Sequence, residues 1–275
     1  DYAIGEFKIL RPLLLYHGRT NYIRNAELIM YFFYKNFVFT LPQFLFGFYC
    51  NFTGQSILDD WFIVLYNLLF TSLPLGVRAV LDHDVKPTDG IIVDKMLPFL
   101  YYENRENPSF TFLTFFLCLF KGTIHCMINY FWIIYIFYSE PVNSDGNMAG
   151  LWFISVCLFT NILLIVSIDL IIFTKYQTIF KVIIMGIVCF IFYIIFIIIV
   201  NNVTYFKSAG TMTVAFSSGR LWMSLIFVCG TCALIDYIIL SIKFTFLLSL
   251  VRILQILVNK RGKLNDPTNL PLPIP

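Results

Sequence analysis

Charged residues make up only 13% of this 275-residue chain, about half the share of an ordinary soluble domain. Too little charge is present to clothe a soluble globule, and that class is excluded. The 19 Lys and Arg are scattered between apolar runs and form no dense patch, which argues against nucleic acid as a partner. No glycine-rich phosphate loop and no recognisable nucleophile motif occurs, so these residues are not expected to hydrolyse ATP by themselves. The seven cysteines (Cys50, Cys118, Cys126, Cys157, Cys189, Cys229 and Cys232) fall mostly within apolar runs. They read as small hydrophobes, not as disulfides or metal ligands, and the CxxC of Cys229 and Cys232 is one by spacing only. No secretory signal opens the chain, because DYAIGEFKILRPLLLYHGR has neither a positive start nor a small-residue cleavage site. It reads like the middle of a longer protein. No internal repeat is visible.

What is abundant is apolar: 59% hydrophobic and 19% aromatic residues. The pattern predicts an all-α integral membrane protein with six transmembrane helices, at about 28–48, 61–80, 110–138, 149–172, 179–200 and 221–242. Residues 1–20 form a cytosolic lead, and residues 21–258 the membrane domain, closing with an interfacial helix at about 244–258 that carries Arg252. The end, NDPTNLPLPIP within 259–275, is too proline-rich for a helix and is expected to be a disordered or extended cytosolic tail. Fifteen of the 19 basic residues fall on one side of this scheme, whereas the opposite loops hold only Lys207 and Arg220. That asymmetry predicts both termini in the cytosol. The sequons at Asn51 and Asn202 then lie on the exoplasmic side as glycosylation candidates.

The costliest residue in the scheme is Lys35, followed by Asn36 inside the first apolar run. A lysine at the centre of a bilayer costs roughly 2.5–3.5 kcal/mol and normally faces protein or a water-filled path. Lys35 lies eleven residues after Arg24 and sixteen before Asn51, so either interface is on the order of 15–20 Å away at about 1.5 Å per residue. Pro42 and Gln43 follow in the same span, and Pro42 removes a backbone donor and crowds the carbonyl of Val38. The second span repeats the device, with Asn67, Thr71 and Ser72 just before Pro74. Asn67 and Thr71 share a helix face, and the two prolines are expected to kink or break both spans at mid-depth. Lys35, Asn36, Gln43, Asn67, Thr71 and Ser72 are therefore candidates to line a substrate path, the other reading being hydrogen-bonded helix pairing. Lys121 and His125 share a face of the third span, where Lys121 is expected to snorkel to the cytosolic surface. Asp169 is expected to pair with Lys175, and Asn161 and Asp236 to serve helix packing or boundaries.

The segments YHGRTNYIRNAELIMYFFYKN, FTGQSILDDWFIVLYNLLFTSLP and LDHDV, taken in that order, resemble the type IV P-type ATPases, the phospholipid flippases. LPFLYYENRENPSFTFLTF looks like the family's loop before its seventh helix. The resemblance is strong over residues 1–110, and beyond that it rests on helix count and loop length. It implies that the chain is the C-terminal membrane half of a P-type ATPase, its six spans being the family's helices five to ten and residues 1–20 the end of the phosphorylation domain. Lys35 and Asn36 match the fifth-helix pair that lines the lipid headgroup path, and Asn67 the polar sixth-helix residue beside it. The family also implies ATP and Mg2+ bound outside these residues, a phospholipid substrate moved from the exoplasmic to the cytosolic leaflet, and a two-span glycosylated accessory subunit. It implies a multi-pass location in the plasma membrane or an endomembrane. Thr53 stands where the family's turn has Ser, and Lys121 is not expected from the family. The alternative is a catalytically silent, flippase-like scaffold or regulatory module, fused to or partnering another enzyme.

Overall fold

The computed structural model describes residues 3, 5–82, 98–102, 109–137, 148–175, 179–203 and 207–246. The expected tail at 259–275 and most of the expected interfacial helix lie outside these residues, as do most of the loop between the second and third spans and Thr204 of the second sequon. Among the described residues there are helices and no strands. The chain divides into two compact units, one formed by Asp1–Ala26, His83–Ser109 and Ser241–Pro275, the other by Glu27–Asp82 and Phe110–Leu240. In the first unit a tight turn at Phe7–Ile9, a helical turn at Leu10–Pro12 and a wide π turn at Leu13–Gly18 lead directly into a long helix.

That helix, α1, runs Arg19–Tyr49. It is followed by α2 (Asp60–Leu81), α3 (Phe112–Phe137), α4 (Leu151–Ile172), α5 (Lys181–Asn202), a short α6 (Thr211–Ser217) and α7 (Gly219–Phe246). Five of these, α2 to α5 and Gly219–Ile242 of α7, are long and apolar enough to cross a membrane. At 31 residues α1 is also long enough, but Lys35, Asn36 and Gln43 lower its apolar character. Two sequence expectations change. Pro42 does not break the first span, because α1 continues past it to Tyr49. Residues 244–246 continue the last helix, where the sequence had placed a separate interfacial one; the apolar run there has no Gly or Pro to stop it.

Local chemistry sets the ends. Asp59 caps α2 by accepting from the Trp61 amide at 3.2 Å, with Asp60 in the first turn, where a negative charge suits the helix dipole. Thr111 and Thr114 cap α3 reciprocally, each hydroxyl accepting the other's amide proton at 3.2 and 2.9 Å. α1 ends where Asn51 and Phe52 enter the left-handed region, with φ of 50° and 54°, and the Phe52 amide bonds back to the Gly47 carbonyl at 2.9 Å.

The core of the second unit is built around α4. Its apolar stretch is 67% buried, against 20–28% for the other four apolar helices, as expected of a helix that is hydrophobic on every side. Phe159 at its centre stacks on Phe62 with centroids 4.3 Å apart and meets Phe70 and Tyr193 edge-on or tilted. Phe39 of α1 stacks on Tyr66 of α2 at 4.2 Å. Gly122 lets α3 approach α1 closely: a Cβ there would sit 3.4 Å from the Tyr34 ring and 3.5 Å from Val38.

An ion network ties several of these segments together. Arg78 reaches Glu27 at 3.3 Å and the Phe173 carbonyl at 3.3 Å. Lys175 pairs with Glu27 at 2.7 Å, and Lys181 approaches Asp82 at 3.6 Å. Elsewhere, where the chain enters α2, Ser208 donates to Asp59 at 2.9 Å and Lys207 to Asp60 at 2.7 Å. The Asp60 hydrogen bond holds the Lys207 ammonium above the ordinary lysine range.

Candidate functional site

Lys35 is 1% exposed and turns its ammonium across the α1–α2 seam. It donates to Asn67 Oδ1 at 2.9 Å and to Thr71 Oγ1 at 2.6 Å. The rings of Phe32 and Tyr66 lie 5.3 and 5.5 Å from it, within reach of cation–π attraction. Among the described residues no carboxylate pairs with this amine, so its positive charge is solvated by neutral oxygens and rings alone.

The local fold of α2 makes this contact possible. Between Tyr66 and Phe70 the helix widens into a π turn, in which the Thr71 amide bonds to the Tyr66 carbonyl at 3.1 Å. Pro74, having no N–H, leaves the Phe70 carbonyl without its usual donor. The irregularity therefore begins two turns before the proline, a placement that Pro74 alone did not reveal. The Thr71 hydroxyl donates to the Tyr66 carbonyl at 2.8 Å, which uses its proton and aims a lone pair at Lys35. The Tyr66 hydroxyl in turn donates to the Lys35 carbonyl at 2.9 Å. Seam and π turn thus orient one another.

The other candidate residues are placed differently. Asn36 is half-buried, and its side-chain oxygen is buried with no hydrogen-bond partner. Ser72 is exposed and bonds to its own helix at the Leu68 carbonyl, 2.6 Å away. Gln43 clamps the loop after α1: its amide donates to the Gln55 carbonyl at 2.9 Å and its oxygen accepts the Ile57 amide at 2.8 Å. Pro42 is buried within α1. Asn51 is exposed at the α1 turn, and the Asn202 amide bonds to the Ile198 carbonyl at 2.8 Å.

Lys121 corrects the sequence reading. It does not snorkel: its ammonium bonds to Asp169, lies 3.4 Å from Asp236, and sits 4.3 Å from the ring centroids of Tyr34 and Phe173. Asp169 accordingly takes Lys121 as its partner, while Lys175 goes to Glu27. Two like carboxylates on separate helices, each reaching the same lysine, outweigh the snorkelling that the depth of Lys121 suggested. Asn161 donates to Asn129 at 3.0 Å in the interior. The sequence carried one usable signal for this cluster, the presence of Lys121, His125, Asp169 and Asp236 in four-residue-spaced or otherwise apolar runs.

A multi-pass helical membrane bundle with an uncompensated lysine at an irregular helix seam is the class these features define. Over residues 1–249 the chain matches the family model of the C-terminal region of phospholipid-translocating P-type ATPases, and it belongs to that family. It is 37% identical over 232 residues to the mouse protein called phospholipid-transporting ATPase IH, covering 82% of this chain and 19% of that protein. Mouse phospholipid-transporting ATPase ID is 37% identical over 179 residues, 65% of this chain and 14% of that protein. Human phospholipid-transporting ATPase IC is 40% identical over 149 residues, 53% and 11% of the two chains. The chain thus spans about a fifth or less of the length of these relatives.

Proposed function

We propose that this chain is the transport half of an ATP-driven phospholipid flippase that moves lipid from the exoplasmic to the cytosolic leaflet, with the α1–α2 seam as part of its headgroup path. In this reading α1 also crosses the membrane, making six spans with the five apolar helices, and both termini are cytosolic, as the distribution of Lys and Arg suggests. The single observation that carries the proposal is the way Lys35 is satisfied. A buried cation that meets neutral oxygens and no carboxylate keeps a net charge, and an anionic phosphate is the natural ligand for it. Asn67 is exposed, so its oxygen can give up the Lys35 ammonium as a headgroup arrives. The orphan oxygen of Asn36 supplies an acceptor for a headgroup ammonium or hydroxyl. Asn67 and Thr71 hold the amine in the meantime, in place of the lipid.

The energy would come from outside these residues. An aspartyl phosphate formed from ATP with Mg2+ and then hydrolysed would shift the membrane helices between states of different headgroup affinity. α1 is one unbroken helix from Arg19 to Tyr49, a rod suited to passing that shift into the seam. A two-span glycosylated partner subunit belongs to the same reading.

The test uses the full-length protein. Lys35→Ala and Asn67→Ala should leave phosphoenzyme formation and melting temperature near those of the unmodified protein while weakening lipid-stimulated dephosphorylation. Losing one charge-assisted contact is worth about 1.5–3 kcal/mol, roughly ten- to a hundredfold in apparent lipid affinity. Unchanged lipid affinity with a lowered melting temperature would make the seam a helix-pairing device, and an absence of phosphoenzyme in the unmodified protein would favour a silent scaffold.

A further inference from the structure

Away from the seam, α1, α3, α4 and α7 meet at a second buried polar group. Lys121 bonds to Asp169 and lies 3.4 Å from Asp236 Oδ1. The same Asp236 oxygen is 3.6 Å from His125 Nε2, and Tyr34 Oη is 2.6 Å from His125 Nδ1. Tyr34 and His125 are fully buried, with Asp236 at 1% and Asp169 at 3% exposure. The remaining titratable groups beside the cluster are the thiols of Cys118 on α3 and Cys232 on α7 and the phenol of Tyr31 on α1. Lys121 is the only cation among them.

The charges do not balance. With both carboxylates ionised and the imidazole neutral, the cluster carries one net negative charge in an apolar interior. Two of its atoms also lack hydrogen bonds, namely Asp236 Oδ1 and His125 Nε2, which face each other. Burying an unbalanced charge is costly, and one added proton on Asp236 Oδ1 removes the excess charge and gives that oxygen a hydrogen to share with His125 Nε2.

We propose that α3, α4 and α7 form a proton-binding site within the membrane domain, in which Asp236 holds one proton beside His125 while Asp169 stays ionised against Lys121. The assignment to Asp236 follows from the contacts, because Asp169 makes the closer one with the ammonium. With Nδ1–H donating to the Tyr34 hydroxyl, the neutral ring presents a bare Nε2 as acceptor, and the proton on Asp236 Oδ1 points at it. Tyr34 precedes Lys35 on α1, so the site adjoins the transport helix, yet it holds its proton without reference to any lipid.

Infrared spectra of the full-length protein at neutral pH, in light and heavy water, test this. A deuteration-sensitive carboxylic C=O band should be present and should disappear in Asp236→Asn. Asp236→Asn, which resembles the protonated acid, should melt close to the unmodified protein, whereas Asp169→Asn should melt lower. Lys121→Met should intensify the band, since Asp169 loses its cation and protonates as well. A band that Asp236→Asn leaves intact, an Asp236→Asn protein that melts as low as Asp169→Asn, or a band that Lys121→Met does not intensify would overturn the site.

Discussion

The Lys35 ammonium donates to the Thr71 hydroxyl at 2.6 Å, and that hydroxyl donates onward to the Tyr66 carbonyl at 2.8 Å. The relay fixes the lone pair that the amine uses, and it exists because the π turn brings the Tyr66 carbonyl within reach of residue 71.

Thr71→Ser preserves the hydroxyl and should behave like the unmodified protein. Thr71→Val keeps the shape but removes both bonds of the relay. It should lower stability by about 1–3 kcal/mol, the cost of leaving a buried partner unsatisfied. Melting curves of the two variants side by side check this, and equal melting temperatures would show that the hydroxyl contributes nothing.

Gly122 of α3 packs against α1, with the Tyr34 ring 3.4 Å from where a Cβ would lie. Gly122→Ala would place its Cβ at about ordinary van der Waals contact with the ring, a small effect. Gly122→Leu cannot be accommodated without moving α1, and overpacking of this kind costs about 1–3 kcal/mol. Because Tyr34 neighbours Lys35, the Leu variant should also weaken lipid stimulation, read as a rise in the lipid concentration needed for half-maximal dephosphorylation.

Among the described residues Lys121 meets two carboxylates and Lys35 only neutral oxygens, and the difference should show in stability. Removing the amine of Lys121 leaves Asp169 buried without a cation, and breaking a buried pair on one side costs about 3–5 kcal/mol. Lys121→Met should therefore lower the melting temperature far more than Lys35→Met. In the double variant Lys121→Met/Asp169→Leu part of the loss should return. Equal melting of the two single lysine variants would show that the carboxylates around Lys121 add nothing to stability beyond what the neutral oxygens give Lys35.

The distinction was only half legible in the sequence. Lys35, Asn67 and Thr71 could be singled out because intramembrane polar residues are expensive, and the four-residue spacing of Asn67 and Thr71 put them on one face. What pairs with Lys121 could not be read, since Asp169 and Asp236 lie 48 and 115 residues further on and no periodicity links one helix to a distant one. The π turn was hidden for a related reason. Pro74 marks the Phe70 carbonyl as missing its donor, but the widened turn lies at Tyr66–Phe70, where Thr71 also meets Lys35 from the neighbouring helix. The five apolar spans needed no such long-range information, because each is continuous and long.

Gln43 offers a test that separates a polar residue holding the fold from one in the proposed headgroup path. It lies on α1 eight residues after Lys35, where its polarity alone suggests the same path. Its side chain, however, is engaged by the backbone at Gln55 and Ile57, and Ile57 is only 1% exposed. Gln43→Ala strips the Ile57 amide of its acceptor, which costs about 1–3 kcal/mol where no water replaces it. Gln43→Glu keeps an acceptor for Ile57 but loses the donor to Gln55, so its effect should be smaller. Both variants should lower the melting temperature in that order while leaving the lipid dependence of dephosphorylation unchanged. The opposite result, a weakened lipid response at an unchanged melting temperature, would return Gln43 to the headgroup path, and would mean that the loop yields its hydrogen bonds to the lipid during transport.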